Sequence, residues 1–301
     1  MRVLITGSNG FIGSSVASFF KEQLNWEVIG VGRKNKPKNN VDEYICCDLE
    51  KNDADSLLAP TLKTCEAVIH LAADMRVEPH NVDVIRANCA STQRLLELCE
   101  RCQIKVFLQL SSLPVIGKPK TVPIDENHPI HPPTVYHISK YTEELLAEYA
   151  SEHTGLRTAS FRISAPVGIG MKETTIFPTF IRNAVQNSDI NIYGQGTRKQ
   201  TYVHVDDIAK ALANSVKYEA VRGVYNLSSY NCISNKDLAE KCITVLQSSS
   251  AINYVDRPDS ADGEEWLVSI EKLKRDAKFE PIVTIEQCIT ELGEYYRRLL
   301  R

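Results

Sequence analysis

Short apolar runs alternate with segments of helical periodicity through the first half of the chain. Apolar, β-branched runs predict strands, while apolar positions spaced three and four residues apart predict amphipathic helices. The predicted strands cover residues 3–6, 27–31, 44–47, 67–71, 105–110 and 156–163, and the predicted helices cover 11–24, 82–102 and 136–153. Strands separated by helices indicate an α/β fold with a doubly wound parallel sheet, in which ligands gather at the carboxyl ends of the strands.

The apolar pattern loosens after Ala165. Here the pattern predicts a loop or lid over 166–178, a helix over 178–187, strands over 202–205 and 224–227, and a helix over 207–217. The last 70 residues predict helical segments and turns. We therefore expect a large sheet domain of residues 1–165 plus 202–228, and a smaller C-terminal domain of residues 166–201 plus 229–301.

Composition and charge exclude several classes of protein. The 301 residues are 43% hydrophobic and 24% charged, as in ordinary globular proteins, and a net charge of -3 gives no reason to expect a nucleic-acid partner. No apolar stretch reaches the roughly 20 residues of a membrane span, and the N-terminus begins with a strand-like run rather than a secretion signal. We expect no membrane partner and a cytoplasmic location.

The nine cysteines are odd in number and scattered, which predicts reduced thiols rather than a disulfide framework. Cys99 and Cys102 have the spacing of a metal-binding pair, but no second pair accompanies them. We therefore expect no metal site.

A glycine-rich segment, TGSNGFIG at residues 6–13, lies between the first predicted strand and the first predicted helix. Its glycines permit a tight turn, close approach of the backbone to a pyrophosphate, and close packing of helix on strand. The helix N-terminus then offers free N–H groups to the phosphates. This arrangement predicts a Rossmann-type domain that binds NAD(P), and the predicted contacts in this segment are Gly7, Asn9, Gly10, Phe11, Ile12 and Gly13.

A basic residue follows the second predicted strand, where the adenosine ribose is expected. An acidic residue at this place would accept a hydrogen bond from the ribose 2′-hydroxyl, but the chain has Gly32, Arg33 and Lys34. The guanidinium of Arg33 can pair with a 2′-phosphate, so the charge favours NADP over NAD. A solvated basic turn is the alternative.

The segment VYHISK at residues 135–140 places a phenol and an ammonium one helical turn apart. A free tyrosine has a pKa near 10, and a nearby lysine and an oxidised nicotinamide both favour its phenolate. Tyr136 is therefore the predicted catalytic base, with Lys140 as its cationic partner. Ser112, at the end of a predicted strand, is expected to hydrogen-bond the same substrate oxygen.

These motifs together resemble the extended short-chain dehydrogenase/reductases of the nucleotide-sugar epimerase/dehydratase type, over nearly the whole chain. The matching segments are TGSNGFIG, CDL (47–49), HLAA (70–73), SSLPVIG (111–117), YHISK, FRISAPVG (161–168) and YVHVDDIA (202–209), with Asn88 in the long helix. The resemblance implies a Rossmann domain with a smaller C-terminal substrate-binding domain, and a homodimer that pairs helices 82–102 and 136–153 between subunits. It also implies further cofactor contacts at Asp48, Leu49, Leu71, Ala72, Ala73, Asn88 and Pro166, and substrate contacts at Ser111, Ser164 and Arg198.

The chain departs from the family pattern at several positions. Hexose dehydratases of this type carry acidic residues directly after the catalytic hydroxyl residue, where this chain has Leu113 and Pro114. A 4,6-dehydratase is therefore disfavoured, as is the decarboxylating branch. Ala165 replaces a frequent asparagine, and Gln200 replaces a frequent arginine.

The leading hypothesis is C4 redox chemistry on a nucleotide-linked sugar, of epimerase type. A 4-keto-sugar reductase that consumes NADPH uses the same residues and is the first alternative. A reductase of a small ketone or aldehyde is the second. A non-catalytic NADP sensor is the third, although the chain keeps both Tyr136 and Lys140.

Overall fold

The structure is a computed structural model that describes residues 1–76 and 81–300. The strands are β1 Arg2–Thr6, β2 Glu27–Gly32, β3 Glu43–Cys46, β4 Ala67–His70, β5 Val106–Ser112, β6 Arg157–Ile163, β7 Ala165–Val167, β8 Ile190–Tyr193, β9 Lys199–His204, β10 Gly223–Leu227, β11 Asn231–Ser234, β12 Ile252–Val255 and β13 Glu265–Trp266. The helices are α1 Phe11–Leu24, α2 Ala54–Leu62, α3 Asp83–Arg101, α4 Val135–His153, α5 Ile176–Val185, α6 Val205–Lys217, α7 Asn235–Leu246, α8 Glu271–Ala277 and α9 Ile285–Leu299. A short 3₁₀ turn, Leu113–Ile116, follows β5.

A seven-stranded sheet in the order β10-β6-β5-β4-β1-β2-β3 forms the centre of the molecule. Every neighbouring pair in this sheet is parallel. The order reverses beside β1, so the crevice of a doubly wound sheet opens at the carboxyl ends of β1 and β4. The predicted α/β fold class with a Rossmann sheet is confirmed.

Helices cover both faces of this sheet and bury its apolar side chains. On one face, α1 and α6 supply side chains such as Phe20 and Ile208 to a core shared with the sheet. On the other face, α2, α3 and α4 supply side chains such as Leu58, Leu95 and Ala150. Burial on both faces explains why these strands read as continuous apolar runs in the sequence.

A second apolar core lies among the later elements. Side chains of α5, α7 and α9 pack together there, with Phe180, Leu238 and Ile289 among those fully or nearly buried. The strand β9 pairs with β7, β11 and β13, and β8 pairs with β12. The expectation of only helical segments and turns in the last 70 residues is wrong, because β12 and β13 are short edge strands. The division into two domains at the stated boundaries stays a prediction.

Other departures from the sequence-based elements are small. The helix predicted from residue 178 begins at Ile176, and the predicted loop over 166–178 includes the end of β7. The sequence analysis did not identify α2, a nine-residue helix with Pro60 inside it.

Among the described residues, no helix is long and apolar enough to cross a membrane. Within the same ranges, no group of three or more His, Cys, Asp or Glu side chains has the arrangement of a metal site, and the nine cysteines are free thiols.

A buried ion pair ties α4 to β6. The Arg162 guanidinium donates from Nε and Nη2 to the Glu144 carboxylate at 2.7–3.2 Å, and both side chains are at most 4% exposed. The same carboxylate accepts a hydrogen bond from the Ser111 hydroxyl at 2.5 Å. This pair therefore fixes the helix that carries Tyr136 against the centre of the sheet.

Removing one partner of this pair should destabilise the fold strongly, because the other charge is left buried and unpaired. We expect Arg162→Met to lower the free energy of unfolding by about 3–5 kcal/mol. The double variant Arg162→Met/Glu144→Met should recover much of that loss, since it leaves no isolated charge. Urea unfolding of the two single variants and the double variant measures this coupling; strictly additive losses would contradict it.

Candidate active site

A cavity of about 770 Å³ lies at the carboxyl edge of the seven-stranded sheet. Its lining includes the ends of β1, β2, β4, β5 and β6 and the start of α4. The residues that the sequence predicts for cofactor, substrate or catalysis line this cavity, with the exception of Arg198. The sheet thus collects into one space side chains that are up to about 160 positions apart in the chain.

The glycine segment has the close packing that its spacing predicts. Gly7 has a φ of +68°, and a Cβ there would stand 2.7 Å from the backbone nitrogen of Ala72. A Cβ on Gly13 would stand 2.2 Å from the carbonyl oxygen of Gly7. Both positions therefore exclude side chains, and the N-terminus of α1 opens directly onto the cavity. This cradle fits the pyrophosphate of a dinucleotide.

The basic segment after β2 folds over this cradle. Asn9 donates from Nδ2 to the Lys36 carbonyl and to the Tyr44 hydroxyl, and the Lys38 backbone N–H donates to Asn9 Oδ1 at 2.7 Å. Arg33 is exposed and lines the cavity at the end of β2. Asp48 and Leu49, which follow β3, line the same end. This end of the cavity therefore carries charges of both signs, those of Arg33 and Lys34 and those of Asp48 and Glu50.

The helix α4 begins one residue before Tyr136, where Thr134 caps it by accepting the His137 backbone N–H. Lys140 is 3% exposed, and its ammonium lies 2.6 Å from Glu143 Oε2. Burial raises the pKa of Tyr136, the Lys140 charge lowers that pKa, and the Glu143 charge raises it, with a net rise. Lys140 therefore acts in the predicted direction, but its effect on the pKa of Tyr136 does not outweigh those of burial and Glu143.

The two serines at the end of β5 have different environments. Ser111 is 3% exposed, and its hydroxyl is already bonded to Glu144. Ser112 is half-buried and lines the cavity immediately before the 3₁₀ turn. Leu113 and Pro114 also line the cavity. Ser112 is therefore the serine whose hydroxyl the fold leaves available for a ligand.

Asn88, on α3, joins the β4 loop to α4. Its Oδ1 accepts the Asp74 backbone N–H at 2.6 Å, and its Nδ2 donates to the Asp74 carbonyl and to the Ser139 hydroxyl. Ser139 in turn donates to the carbonyl of Tyr136 at 2.8 Å. Asn88 thus helps to position α4 in addition to lining the cavity.

The part of the cavity formed by β9 and β13 is lined by residues that the sequence did not predict as site residues. Trp266 on β13 pairs in register with Gln200 on β9, and both residues line the cavity, as does Thr201. Arg198 lies half-buried outside the lining, with a buried Nε that has no hydrogen-bond partner among the described groups. Ser164 lies near β6 and accepts a hydrogen bond from Ser228. No signal in the local sequence predicts that Trp266 lines the cavity, because its position depends on the pairing of β13 with β9.

Known proteins with this sequence pattern identify the family. A model of the NAD dependent epimerase/dehydratase family matches residues 3–228. The chain belongs to this family. A protein of Methanocaldococcus jannaschii that is provisionally named as a UDP-glucose 4-epimerase is 31% identical over 220 residues, which cover 69% of this chain and 71% of that protein. The dTDP-glucose 4,6-dehydratase of Streptomyces niveus is 26% identical over 320 aligned positions, covering 99% and 93% of the two chains.

Solved structures share the fold across the whole chain. The UDP-glucose 4-epimerase of Thermotoga maritima, solved with UDP-glucose, has a TM-score of 0.87 at 23% identity and covers 100% of both chains. The UDP-N-acetylglucosamine 4-epimerase of Methanobrevibacter ruminantium has a TM-score of 0.86 at 25% identity and covers 99% of this chain and 98% of that one. The protein is therefore an NAD-dependent enzyme of the extended short-chain dehydrogenase/reductase type.

Proposed function

We propose that the protein is a cytoplasmic nucleotide-sugar epimerase that transfers a hydride at a sugar C4 carbon, with Tyr136 as the base. One observation supports this above the others: Tyr136, Lys140 and Ser112 line the same cavity as the glycine cradle. The curated and structural relatives include proteins named as UDP-sugar 4-epimerases. Nucleotide sugars of that kind are the proposed substrates.

The residues divide the chemistry between them. NAD(P), which the glycine cradle and the residues around it would hold, would supply the acceptor for a hydride from the C4 carbon and the donor for its return. Tyr136 takes the proton of the C4 hydroxyl as that hydride leaves, and gives it back when the alcohol is formed again. Ser112 holds the same oxygen by a hydrogen bond, and Lys140 favours the phenolate through its charge. Return of a hydride to the opposite face of the 4-keto sugar, with the proton from Tyr136 going to the oxygen, would give the epimer.

The cavity disfavours dehydration, although some relatives are named as dehydratases. Elimination of water needs an additional acid and base beside the sugar. Leu113 and Pro114 occupy the positions after Ser112, and neither side chain can carry a proton. Redox chemistry without elimination is therefore the reaction that these side chains support.

Replacing the base without changing its shape tests the proposal. We expect Tyr136→Phe to reduce turnover of a UDP-sugar by about 10³-fold or more, because the phenol is the proton acceptor. NAD affinity, measured by calorimetry, should change little. Tyr254→Phe, at an exposed position of β12 outside the cavity lining, is the matched control and should keep full activity. Unchanged turnover in Tyr136→Phe refutes the assignment.

A 4-keto-sugar reductase is the second candidate, and Arg33 is the observation that favours it. A basic residue at the ribose end suits NADPH, the usual cellular reductant. A curated relative from Escherichia coli, 24% identical over 96% of this chain, is named dTDP-4-dehydro-6-deoxyglucose reductase. An epimerase turns over with no net use of NADPH, whereas a reductase consumes it mole for mole.

If neither UDP nor dTDP protects the protein against heat, a small ketone or aldehyde becomes the substrate class.

The preference for NADP rests on Arg33 and has its own test. We expect Arg33→Ala to weaken NADP binding by about tenfold or more while NAD binding changes little, because only NADP has the 2′-phosphate. Lys38→Ala is the control, since Lys38 is exposed outside the cavity lining. Calorimetric titration of each variant with both dinucleotides gives the answer; equal losses for NAD and NADP contradict the preference.

A homodimer is proposed from the exposed face of α4, which packs against α3 on its other side. Ile138, Leu145 and Tyr149 are 42%, 46% and 63% exposed, and their spacing puts them on one stripe of the helix. A second copy of the chain is the proposed cover for this stripe.

Introducing charge into the stripe should separate the subunits. We expect the wild-type protein to have twice the 33.8 kDa chain mass, and Leu145→Glu to have the single-chain mass. Leu57→Glu, at an equally exposed leucine on α2, should leave the mass unchanged. Light scattering after gel filtration measures all three, and a monomeric wild-type protein contradicts the proposal.

A further inference from the structure

The Lys140 ammonium has a buried counter-ion of its own. Lys140 Nζ lies 2.6 Å from Glu143 Oε2, and the two side chains are 4% and 1% exposed. Tyr136, Lys140 and Glu143 occupy positions i, i+4 and i+7 of α4, so they follow one another along one face of the helix. The cation that is proposed to favour the Tyr136 phenolate is thus bound at the same time by a carboxylate.

In the part of the chain that the structure describes, the rest of the Glu143 environment gives the carboxylate no second cation. Gln109 Nε2 donates to the backbone carbonyl of Glu143, not to its side chain. Oε1 of Glu143 is buried without a hydrogen bond of good geometry, although the Thr92 hydroxyl faces the carboxylate. A buried carboxylate with an unpaired oxygen is costly, so Lys140 is the partner on which its charge depends.

The neighbouring carboxylate is occupied in a different way. Glu144, one residue further along α4, is paired with Arg162 on β6 and accepts a hydrogen bond from Ser111. The two adjacent glutamates therefore have separate partners: Glu144 holds the helix to the sheet, while Glu143 meets the cation of the active site.

Other titratable side chains packed against this face are neutral near pH 7. Burial, together with the Lys140 charge, lowers the pKa of His70 on β4 to about 3. Burial raises the pKa of the Cys89 thiol on α3 to about 11, and burial lowers the pKa of His137 on α4. Within residues 1–76 and 81–300, the charges that act on the Tyr136 phenol are those of Lys140 and Glu143.

We propose that Glu143 is a positioning residue that holds the Lys140 ammonium and partly cancels the effect of its charge on Tyr136, and so sets the pH range in which Tyr136 works as a base. This inference rests on the proposed role of Tyr136. The two charges have opposite effects on the pKa of Tyr136, since Lys140 lowers it and Glu143 raises it. Removing the Glu143 charge removes the effect that raises the pKa of Tyr136 and leaves that of Lys140, whose ammonium must then stay charged without its buried partner.

The variant Glu143→Gln removes this charge and keeps an oxygen that can accept from Lys140. The control is Glu148→Gln, which removes the same charge from an exposed position on the same helix. We expect the acid limb of kcat/KM against pH to move down by about one pH unit in Glu143→Gln, with KM little changed, and to stay in place in Glu148→Gln.

A titration without turnover separates this inference from the proposed function. In protein labelled with [13Cζ]tyrosine, at matched dinucleotide content, the Tyr136 signal is assigned by its loss in Tyr136→Phe. Its pKa should fall by about one unit in Glu143→Gln and remain at the wild-type value in Glu148→Gln. A fall without any sugar turnover supports the role of Glu143 and refutes the epimerase proposal. An unchanged Tyr136 pKa in folded Glu143→Gln overturns the role of Glu143, whatever the activity.

The wild-type titration decides if Glu143→Gln does not fold. In wild-type protein labelled with [13Cδ]glutamate, a Glu143 carboxyl that is ionised throughout the acid limb of kcat/KM supports a counter-ion that offsets Lys140. A Glu143 carboxyl that stays protonated over that pH range has no charge to set against Lys140, and overturns the inference.

Discussion

The parallel arrangement of the seven central strands is the constraint on which the active site depends. Parallel strands bring their carboxyl ends to one edge, and each connection must return over a face of the sheet. The glycine cradle after β1, the basic segment after β2 and the serines at the end of β5 therefore meet at one cavity. Without that edge, the same side chains would lie on separate loops.

Buried polar contacts then set where α4, which carries Tyr136 and Lys140, lies on this sheet. The Arg162–Glu144 pair joins α4 to β6, and Asn88 joins α4 to α3 and the β4 loop. A buried network with some polar groups left unpaired would lower the stability of the fold. A network in which every polar group has a hydrogen-bond partner instead fixes a single arrangement. The positions of Tyr136 and Lys140 are consequently fixed by the side-chain contacts of other residues. The proposed chemistry needs such fixed placement, because a proton and a hydride must leave neighbouring atoms together.

The sequence predicted the large sheet and most of the cavity lining well, for physical reasons. Glycines at 7, 10 and 13 directly after an apolar strand are typical of a dinucleotide-binding turn. Strands buried on both faces are apolar along their whole length, so the sequence pattern predicts them clearly. The smaller unit was harder, since Ile190–Tyr193 alternates buried and exposed positions over only four residues and finds its partner about 60 residues away. The place of Trp266 beside Gln200 and the pairing of Glu144 with Arg162 depend on the same kind of contact between separate elements. The local pattern of apolar and polar residues does not show which side chain in another element a residue will contact.

The position of the Tyr136 hydroxyl relative to a bound nicotinamide tests the central claim most directly. A crystal structure with NAD bound gives the distance between Tyr136 Oη and the nicotinamide C4 atom. The account predicts that the two atoms face each other across a gap that fits one carbon and its oxygen, with Ser112 beside the same oxygen. A phenol turned out of the cavity, or a nicotinamide at the opposite end from α4, contradicts it.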